Sequence, residues 1–393
     1  MALNDYYVPD YLPDFSCKCG QCRHTCCQGW HITFSMQEYF RLLGLACSPY
    51  LRRKLDSAFY IDRSADPARY ATISPNWRGE CPLLDENGLC LLQNECGEQV
   101  MSGVCKYYPR TPKARFGRTC ACSASCEKVL EMLYGRTEPI RLVHAALDFD
   151  LPLPEMLDKE AVVTFWQEMR KKAMEILQMR TLSLPERLQC LSQLSQALVP
   201  FQKKADAEGL LSALRAFDSK QFCPDLPAQR PSLFGELLYV LGWLCEDSQS
   251  MGETWAACCE QLGIPVHRGD ATTSQVIHAL EVYTEKSQAF ARLHADWEIY
   301  FEHMLVNHLL VDDYPFSERR ESLLREQEAL CLAYAVLRFF GVMCIHDSSR
   351  DALVDVHACC FHLIEHSNFD DVAPRMADRL LMDGKAVQAL TVF

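Results

Sequence analysis

The chain has 393 residues, of which 49% are hydrophobic and 23% charged, with a formal net charge of −13. That length suits two domains, each able to bury its own core without covalent staples. The opening MALNDYYVPD lacks a basic and an apolar signal region, and no stretch approaches roughly 18 uncharged apolar residues, so the reading excludes a signal peptide and a transmembrane helix and places the chain in the cytoplasm, where thiols stay reduced.

The first 150 residues read as loop-rich and thiol-rich. Thirteen of the 22 cysteines fall between Cys17 and Cys126. The first cluster is CKCGQCRHTCC, with Cys17, Cys19, Cys22, Cys26 and Cys27. Gly and Pro punctuate the next hundred residues, in SPNWRGECP, DENGLC and YYPRTPKARFG. Short helices fit between. SMQEYFRLLG begins with Ser35 as N-cap and has Glu38 three residues on, the capping-box pattern, and Gly44 is its expected stop. SCEKVLEMLYG repeats the design, with Ser125 as cap and Gly135 as stop.

DFDLPLPEML carries two prolines without helical period and reads as a linker, dividing the chain into a Cys-rich unit at 1–150 and a helical unit at 151–393. Beyond it, Val162, Trp166, Met169, Ala173, Ile176 and Met179 recur at steps of four and three, an amphipathic helix. PSLFGELLYVLGWLCE, SQVIHALEVYTEKSQAFARL, HADWEIYFEHMLVNHLL, SLLREQEALCLAYAVLRFF and DALVDVHACCFHLIEH obey the same rule. The expected fold is mainly α: a loop-rich, metal-binding, Cys-rich domain followed by an irregular bundle of eight helices. The first 150 residues hold 17 basic and 17 acidic residues, the remainder 22 and 35. The acidic excess therefore belongs to the helical part. It disfavours nucleic acid and suits either a lysine-bearing protein partner or plain solubility.

Thiolates are soft ligands for zinc, copper(I) and iron–sulfur clusters. The spacings Cys17-x-Cys19-x2-Cys22-x3-Cys26-Cys27, Cys81-x8-Cys90-x5-Cys96-x8-Cys105 and Cys120-x-Cys122-x3-Cys126 supply more ligands than one four-coordinate metal needs. Adjacent Cys26 and Cys27 are poorly placed to serve one ion together. The C-x3-C-x2-C order of radical enzymes is absent, because Gly29 stands where a third cysteine is required. None of the 17 glycines forms a G-x-G pair, so a glycine-rich nucleotide loop is absent too.

CRHTCC, ECPLLDENGLCLL, CKYYPR and SASCEKVLEMLYG resemble the bacterial CxxxCxxC zinc- or iron-chelating family, and within it the flagellin lysine-N-methylases; the later YFEHMLVNHLLVDDYPF is similar to their helical region. The family pattern falls on Cys22, Cys26, Cys27, Cys81, Cys90, Cys105 and Cys126, leaving Cys17, Cys19, Cys96, Cys120 and Cys122 as extra thiols. The resemblance implies an S-adenosylmethionine-dependent methyltransferase acting on the lysine ε-amines of flagellin, with a Cys-ligated [4Fe-4S] cluster. The rival expectation is a non-enzymatic zinc- or iron-binding module on a helical interaction platform. Three further features carry plain structural readings. The basic run Lys106, Arg110, Lys113, Arg115 and Arg118 reads as charge compensation for anionic thiolate sites. His362 and His366 read as surface or half-buried histidines, and His308, Asp312 and Asp313 as a solvated helix end with Tyr314 beside it. No residue is singled out as catalytic base, and neither peripheral membrane attachment nor oligomeric state is legible.

Overall fold

The computed structural model describes residues 4–28, 32–149, 160–246, 248, 251–267, 269–315, 322–367, 369–379 and 384–393. Most of the predicted linker lies outside the described residues.

The N-terminal 150 residues contain seven short strands: β1 (Asn4–Pro9), β2 (Thr33–Phe34), β3 (Phe59–Tyr60), β4 (Ala71–Ile73), β5 (Arg110–Lys113), β6 (Thr119–Cys122) and β7 (Leu142–Leu147). They form a four-stranded sheet, β5-β6-β1-β7, and a three-stranded one, β2-β4-β3. β1 runs antiparallel to β7, from Asn4 opposite Leu147 to Pro9 opposite Leu142, and parallel to β6. These strands are two to six residues long, too short for a two-residue period to stand out in the sequence.

Five helices share this half: α1 (Met36–Leu43), α2 (Pro49–Ala58), α3 (Leu91–Cys96), α4 (Gly103–Tyr107) and α5 (Glu127–Tyr134). The expected capping box of α1 is present, Glu38 N–H donating to Ser35 Oγ at 3.3 Å and Ser35 N–H to Glu38 Oε2 at 2.8 Å. The cap of α5 differs from expectation. Cys126, not Ser125, is the N-cap residue, because Ser125 Oγ is turned to other partners.

Among the described residues eleven more helices follow, against the roughly eight expected: α6 (Glu160–Leu177), α7 (Leu184–Gln202), α8 (Ala207–Ala216), α9 (Pro231–Cys245), α10 (Gly252–Leu262), α11 (Thr273–Leu293), α12 (Trp297–Val311), α13 (Leu323–Cys344), α14 (Arg350–His366), α15 (Phe369–Arg379) and α16 (Gly384–Ala389). Every residue of α13 from Glu326 to Met343 is buried. It is the described helix long and apolar enough to cross a bilayer, and here it is the central rod of the core. An all-round apolar helix of this kind needs neighbours on every side, which α7, α11, α12, α14, α15 and α16 supply.

The main hydrophobic core runs without a break from Tyr6, Val8, Tyr11 and Leu130 of the N-terminal half into the helices. A second, smaller core gathers Phe34, Leu42, Leu51, Leu55, Ala58, Ile73, Leu83 and Leu92, with Cys81, Cys90 and Cys96 along its edge. On α12, fully buried Glu302 accepts from Arg187 Nη1 at 2.8 Å and from Arg180 Nη2 at 2.9 Å, joining α12 to α7 and to the turn before it.

Candidate functional site: two thiol groups and a polar cleft

The fold sorts the N-terminal thiols into two groups of four. Cys22 is pushed up to about 11 by burial, then by the neighbouring Glu127, Cys126 and Cys17, while Lys18 opposes. Cys126, also about 11, is desolvated and feels Cys17, with the N–H groups of Val129 and Lys128 aimed at its sulfur. Cys26 is raised by its hydrogen bond to Cys27, by burial and by Cys126 and Cys17. Cys17 and Cys126 thus each bear on Cys22 and on Cys26, which puts the four in one neighbourhood.

The second group gathers around Cys27. Cys81 N–H donates to Cys27 O at 2.7 Å. Cys81 is raised to about 12 by burial, with Cys27, Cys105 and Cys90 adding to it and the Leu83 N–H opposing. Cys90, at the N-cap of α3, is raised by desolvation and by Cys27, against the N–H groups of Gln93 and Leu92. Cys105 on α4 reaches about 12 through burial, Cys27 and Cys90, and the Ser102 hydroxyl opposes. The two groups meet at Cys26 and Cys27. The Cys26 thiol hydrogen-bonds to Cys27 sulfur, and that bond brings Cys27 down to about 7.

Four thiols is the ligand count of a tetrahedral zinc or of a four-iron cluster, and N–H groups aimed at sulfur favour thiolate over thiol. The donor chemistry of each group therefore fits such a centre. Among the described residues, no three His, Cys, Asp or Glu side chains converge at metal-ligating distance. Of the extra thiols, only Cys17 joins a group of four. Cys19 is exposed beside Cys17, Cys96 lies near Cys47, and Cys120 and Cys122 are buried on β6 near Arg110.

The first cysteine loop is clamped to α5 by ions. Lys18 pairs with Glu127 and, at 2.7 Å, with Glu131. Glu127 Oε2 also accepts the N–H groups of Arg23 at 2.7 Å and His24 at 3.2 Å. Arg23 Nε reaches Asp355 on α14 at 2.9 Å. Lys18 and Arg23 are thus the cations beside the first thiol group. Much of the basic run is committed elsewhere: Lys113 donates to Val311 O at 2.5 Å, Arg110 lies over the Phe15 ring and Arg115 over Phe116.

A cleft of about 430 Å³ opens next to this loop, lined by Glu38, Val104, Tyr107, Tyr108, Pro109 and Pro112 among others. Ser123 and His366 form its floor. The strand end after β6 supplies Ser123 and Ser125, and the last turn of α14 supplies Glu365 and His366. His366 Nε2 sits 2.8 Å from Ser125 Oγ and 3.1 Å from Ser123 Oγ. Tyr108 Oη is 3.0 Å from Ser125 Oγ. Ser123 Oγ donates to Glu365 Oε2 at 2.5 Å, and Ala124 N–H donates to the same oxygen at 3.0 Å. The other carboxylate oxygen faces His308 Nδ1 at 3.5 Å. Burial lowers His366 from the ordinary imidazole range, with Glu365 opposing, and lowers His362 to about 4. Tyr108 is raised by burial and by Cys126, so the cleft floor and the first thiol group are neighbours. In the sequence, His366 and His308 carry no signal beyond their plain structural readings. Asp313 is not at this site: it is buried, held up by desolvation and answered by Lys113 and Arg170. Tyr314 is likewise buried in the core.

A family model described as the FliB lysine N-methylase C-terminal domain matches residues 170–377, more than half of the chain. The chain belongs to the FliB lysine N-methylase family. The FliB-type region contains Arg187, Glu302, His308, Glu365 and His366, and so one wall of the cleft. Among similar proteins, a lysine-N-methylase of Salmonella choleraesuis is 31% identical over 103 residues, 26% of this chain and 25% of that protein. One of Salmonella typhimurium matches at the same level. A flagellar biosynthetic protein FliU of Salmonella muenchen is 28% identical over 103 residues, 60% of its length. The match thus spans about a quarter of the two Salmonella lysine-N-methylases. No solved structure matches the chain.

Proposed function

We propose that this FliB-family protein is a methyltransferase that adds methyl groups to lysine ε-amines of flagellin, in the cytoplasm, with S-adenosylmethionine as donor. The observation that carries the reading is the family match over the helical half together with a polar cleft at its junction with the thiol-rich half. A free lysine amine has a pKa of about 10.4 and arrives protonated, so the site must favour loss of that proton before the nitrogen can attack. A narrow cleft with apolar walls and a polar floor suits a long aliphatic side chain ending in an amine.

Of the two thiol groups, the one of Cys17, Cys22, Cys26 and Cys126 reaches the cleft through Cys126 and Cys26, which bear on Tyr108, and a [4Fe-4S] cluster is assigned to it here. Held by four thiolates, such a cluster would have no open iron and would supply an electron when bound. Of Cys27, Cys81, Cys90 and Cys105, Cys81 and Cys90 edge the smaller core, and a tetrahedral zinc on the four would serve there as a structural tie. The acidic surface of the helical half suits a lysine-bearing partner.

The test is an intact-mass measurement on flagellin incubated with anaerobically purified protein and S-adenosylmethionine, alongside iron, zinc and acid-labile sulfide analysis. Methyl-sized mass gains that depend on the donor are expected. Their absence from fully iron-loaded protein would overturn the enzymatic reading in favour of a metal-binding module.

A further inference from the structure

The floor of the cleft has a composition the thiol chemistry does not explain. Ser123 and Ser125 are buried and both sit at one imidazole nitrogen of His366, with the almost wholly buried Glu365 side chain behind Ser123 and Tyr108 behind Ser125. Proton counting orders the cluster. Ser123 has one hydroxyl proton, and at 2.5 Å it goes to Glu365. Its oxygen is then the acceptor in the 2.6 Å pair with Ser125 Oγ, which leaves one of its lone pairs. A hydroxyl carries two acceptor lone pairs and an ammonium carries three donors, so Ser123 Oγ, Ser125 Oγ, Tyr108 Oη and His366 Nε2 together form an acceptor-rich cup. The walls above it, Val104, Tyr107, Pro109 and Pro112, are apolar enough for four methylenes.

The arrangement is not that of a hydrolytic triad. There the carboxylate orients the imidazole through its far nitrogen. Here Glu365 binds the serine hydroxyl and the Ala124 N–H directly, so its charge stabilises a cation in the cup and does not aim the ring at a nucleophile.

We propose that this cup is the lysine-amine site and that His366 Nε2 takes a proton from the incoming ε-ammonium. The inference rests on the methyltransferase reading for its reaction and on the cleft for its geometry. In the step, one N–H bond of the ammonium breaks, its electron pair stays on nitrogen, and the proton bonds to Nε2. The resulting imidazolium faces the Glu365 carboxylate. Other titratable groups bear on the ring: His362 on the same helix, His308 behind Glu365, Tyr108 and Glu38 across the cleft, and Arg110 at its wall. An imidazole of ordinary pKa, about 6.5, is mostly neutral at pH 7, and so able to accept.

Two measurements on the full chain test this. In the first, His366→Gln, with unchanged circular dichroism and iron content, is assayed for methyl transfer at pH 7 and at pH 9.5. A general base contributes about 10²–10⁴-fold. The variant should lose about that factor at pH 7, recover much of it at pH 9.5, and keep its KM for flagellin. A loss below threefold, or an equal loss at both pH values, overturns the role of base. In the second, n-butylammonium is titrated against protein with isotope-labelled histidine, and the His366 ring signals are followed by NMR. Saturable shifts that disappear in Ser125→Ala with Tyr108→Phe are expected, and unmoved ring signals overturn the amine site. This second readout needs no methyl transfer. Saturable shifts in a protein that never methylates flagellin would sink the functional reading and leave the amine site standing.

Discussion

Glu127 is the residue on which the first cysteine loop depends, and its replacement gives a sharp expectation. Its side chain is 1% exposed and its carboxylate takes three donors: the Lys18 ammonium and the N–H groups of Arg23 and His24. Hydrogen bonds to charged groups contribute about 1.5–3 kcal/mol each. Lys18 keeps Glu131 as a partner after substitution, so its share is small. Glu127→Ala removes the acceptor of two part-buried N–H groups and should cost about 2–3 kcal/mol, while Glu127→Gln still offers a carbonyl oxygen and should cost about 1–2 kcal/mol. Urea denaturation of both variants and the parent measures the difference, and the rate of iodoacetamide labelling at Cys22 reports the loop itself. Burial raises the Glu127 carboxyl, but Lys18, the His24 and Arg23 N–H groups and the Arg23 charge outweigh it and hold the group below the ordinary carboxylate range. A depressed carboxyl stabilises the fold above its unfolded pKa of about 4.3 and loses that contribution as pH falls through the folded value. The parent should therefore loosen its loop below pH 4 more steeply than Glu127→Gln. Equal costs for the Ala and Gln variants, or a cost under about 1 kcal/mol for Ala, would refute the reasoning.

Other expectations come from the same structure. Glu302→Ala leaves Arg187, itself 2% exposed, with only Glu298 at 3.7 Å as counter-charge, and should cost about 3 kcal/mol in urea denaturation; a change under about 1 kcal/mol would contradict the pairing. His357 is fully buried, hydrogen-bonded to Tyr134 and Leu337 O, and lowered by burial to about 4. Its depressed value means stability is present above its unfolded pKa of about 6.5 and is lost as pH falls toward 4, by about 3 kcal/mol at most. That slope should flatten in His357→Gln, read from denaturation midpoints between pH 7 and pH 4. Cys26→Ser and Cys27→Ser, one residue apart, should differ in metal analysis: the first should lose iron and sulfide, the second zinc, and loss of the same metal from both would count against two separate groups.

The helices were legible because their apolar spacing is local. Trp166, Met169, Ala173 and Ile176 at steps of three and four announce α6, and Ser35 with Glu38 announces the start of α1. The cap at Ser125 misled for a reason no local pattern contains: its hydroxyl is engaged by His366, 241 residues away. The thiols gave a similar lesson. Spacing marked the cysteines as a constellation, yet sorting them required the Cys81 N–H to Cys27 O contact, which joins residues 54 apart in the chain. The sequence reading sets Cys26 and Cys27 apart as ligands, yet in the turn that holds them the Cys26 thiol hydrogen-bonds to Cys27 sulfur. The cleft was invisible for the same reason as the cap. Ser123, Tyr108, Glu365 and His366 have no common motif, and each alone has an ordinary structural reading. A Glu-His pair at the end of a helix whose opposite face is apolar was the one available hint, and it is too common to single out.

The cleft floor is assembled from two distant stretches of the chain. Ser123 and Ser125 leave the ribosome long before Glu365 and His366, and the strand order of the main sheet already draws β7 back onto β1 by then. Because one core runs from the sheet into the helices, this floor is complete only once α14 packs against α5. Any activity of this cleft is withheld until α14 has emerged, which makes the synthesis of that helix itself the switch.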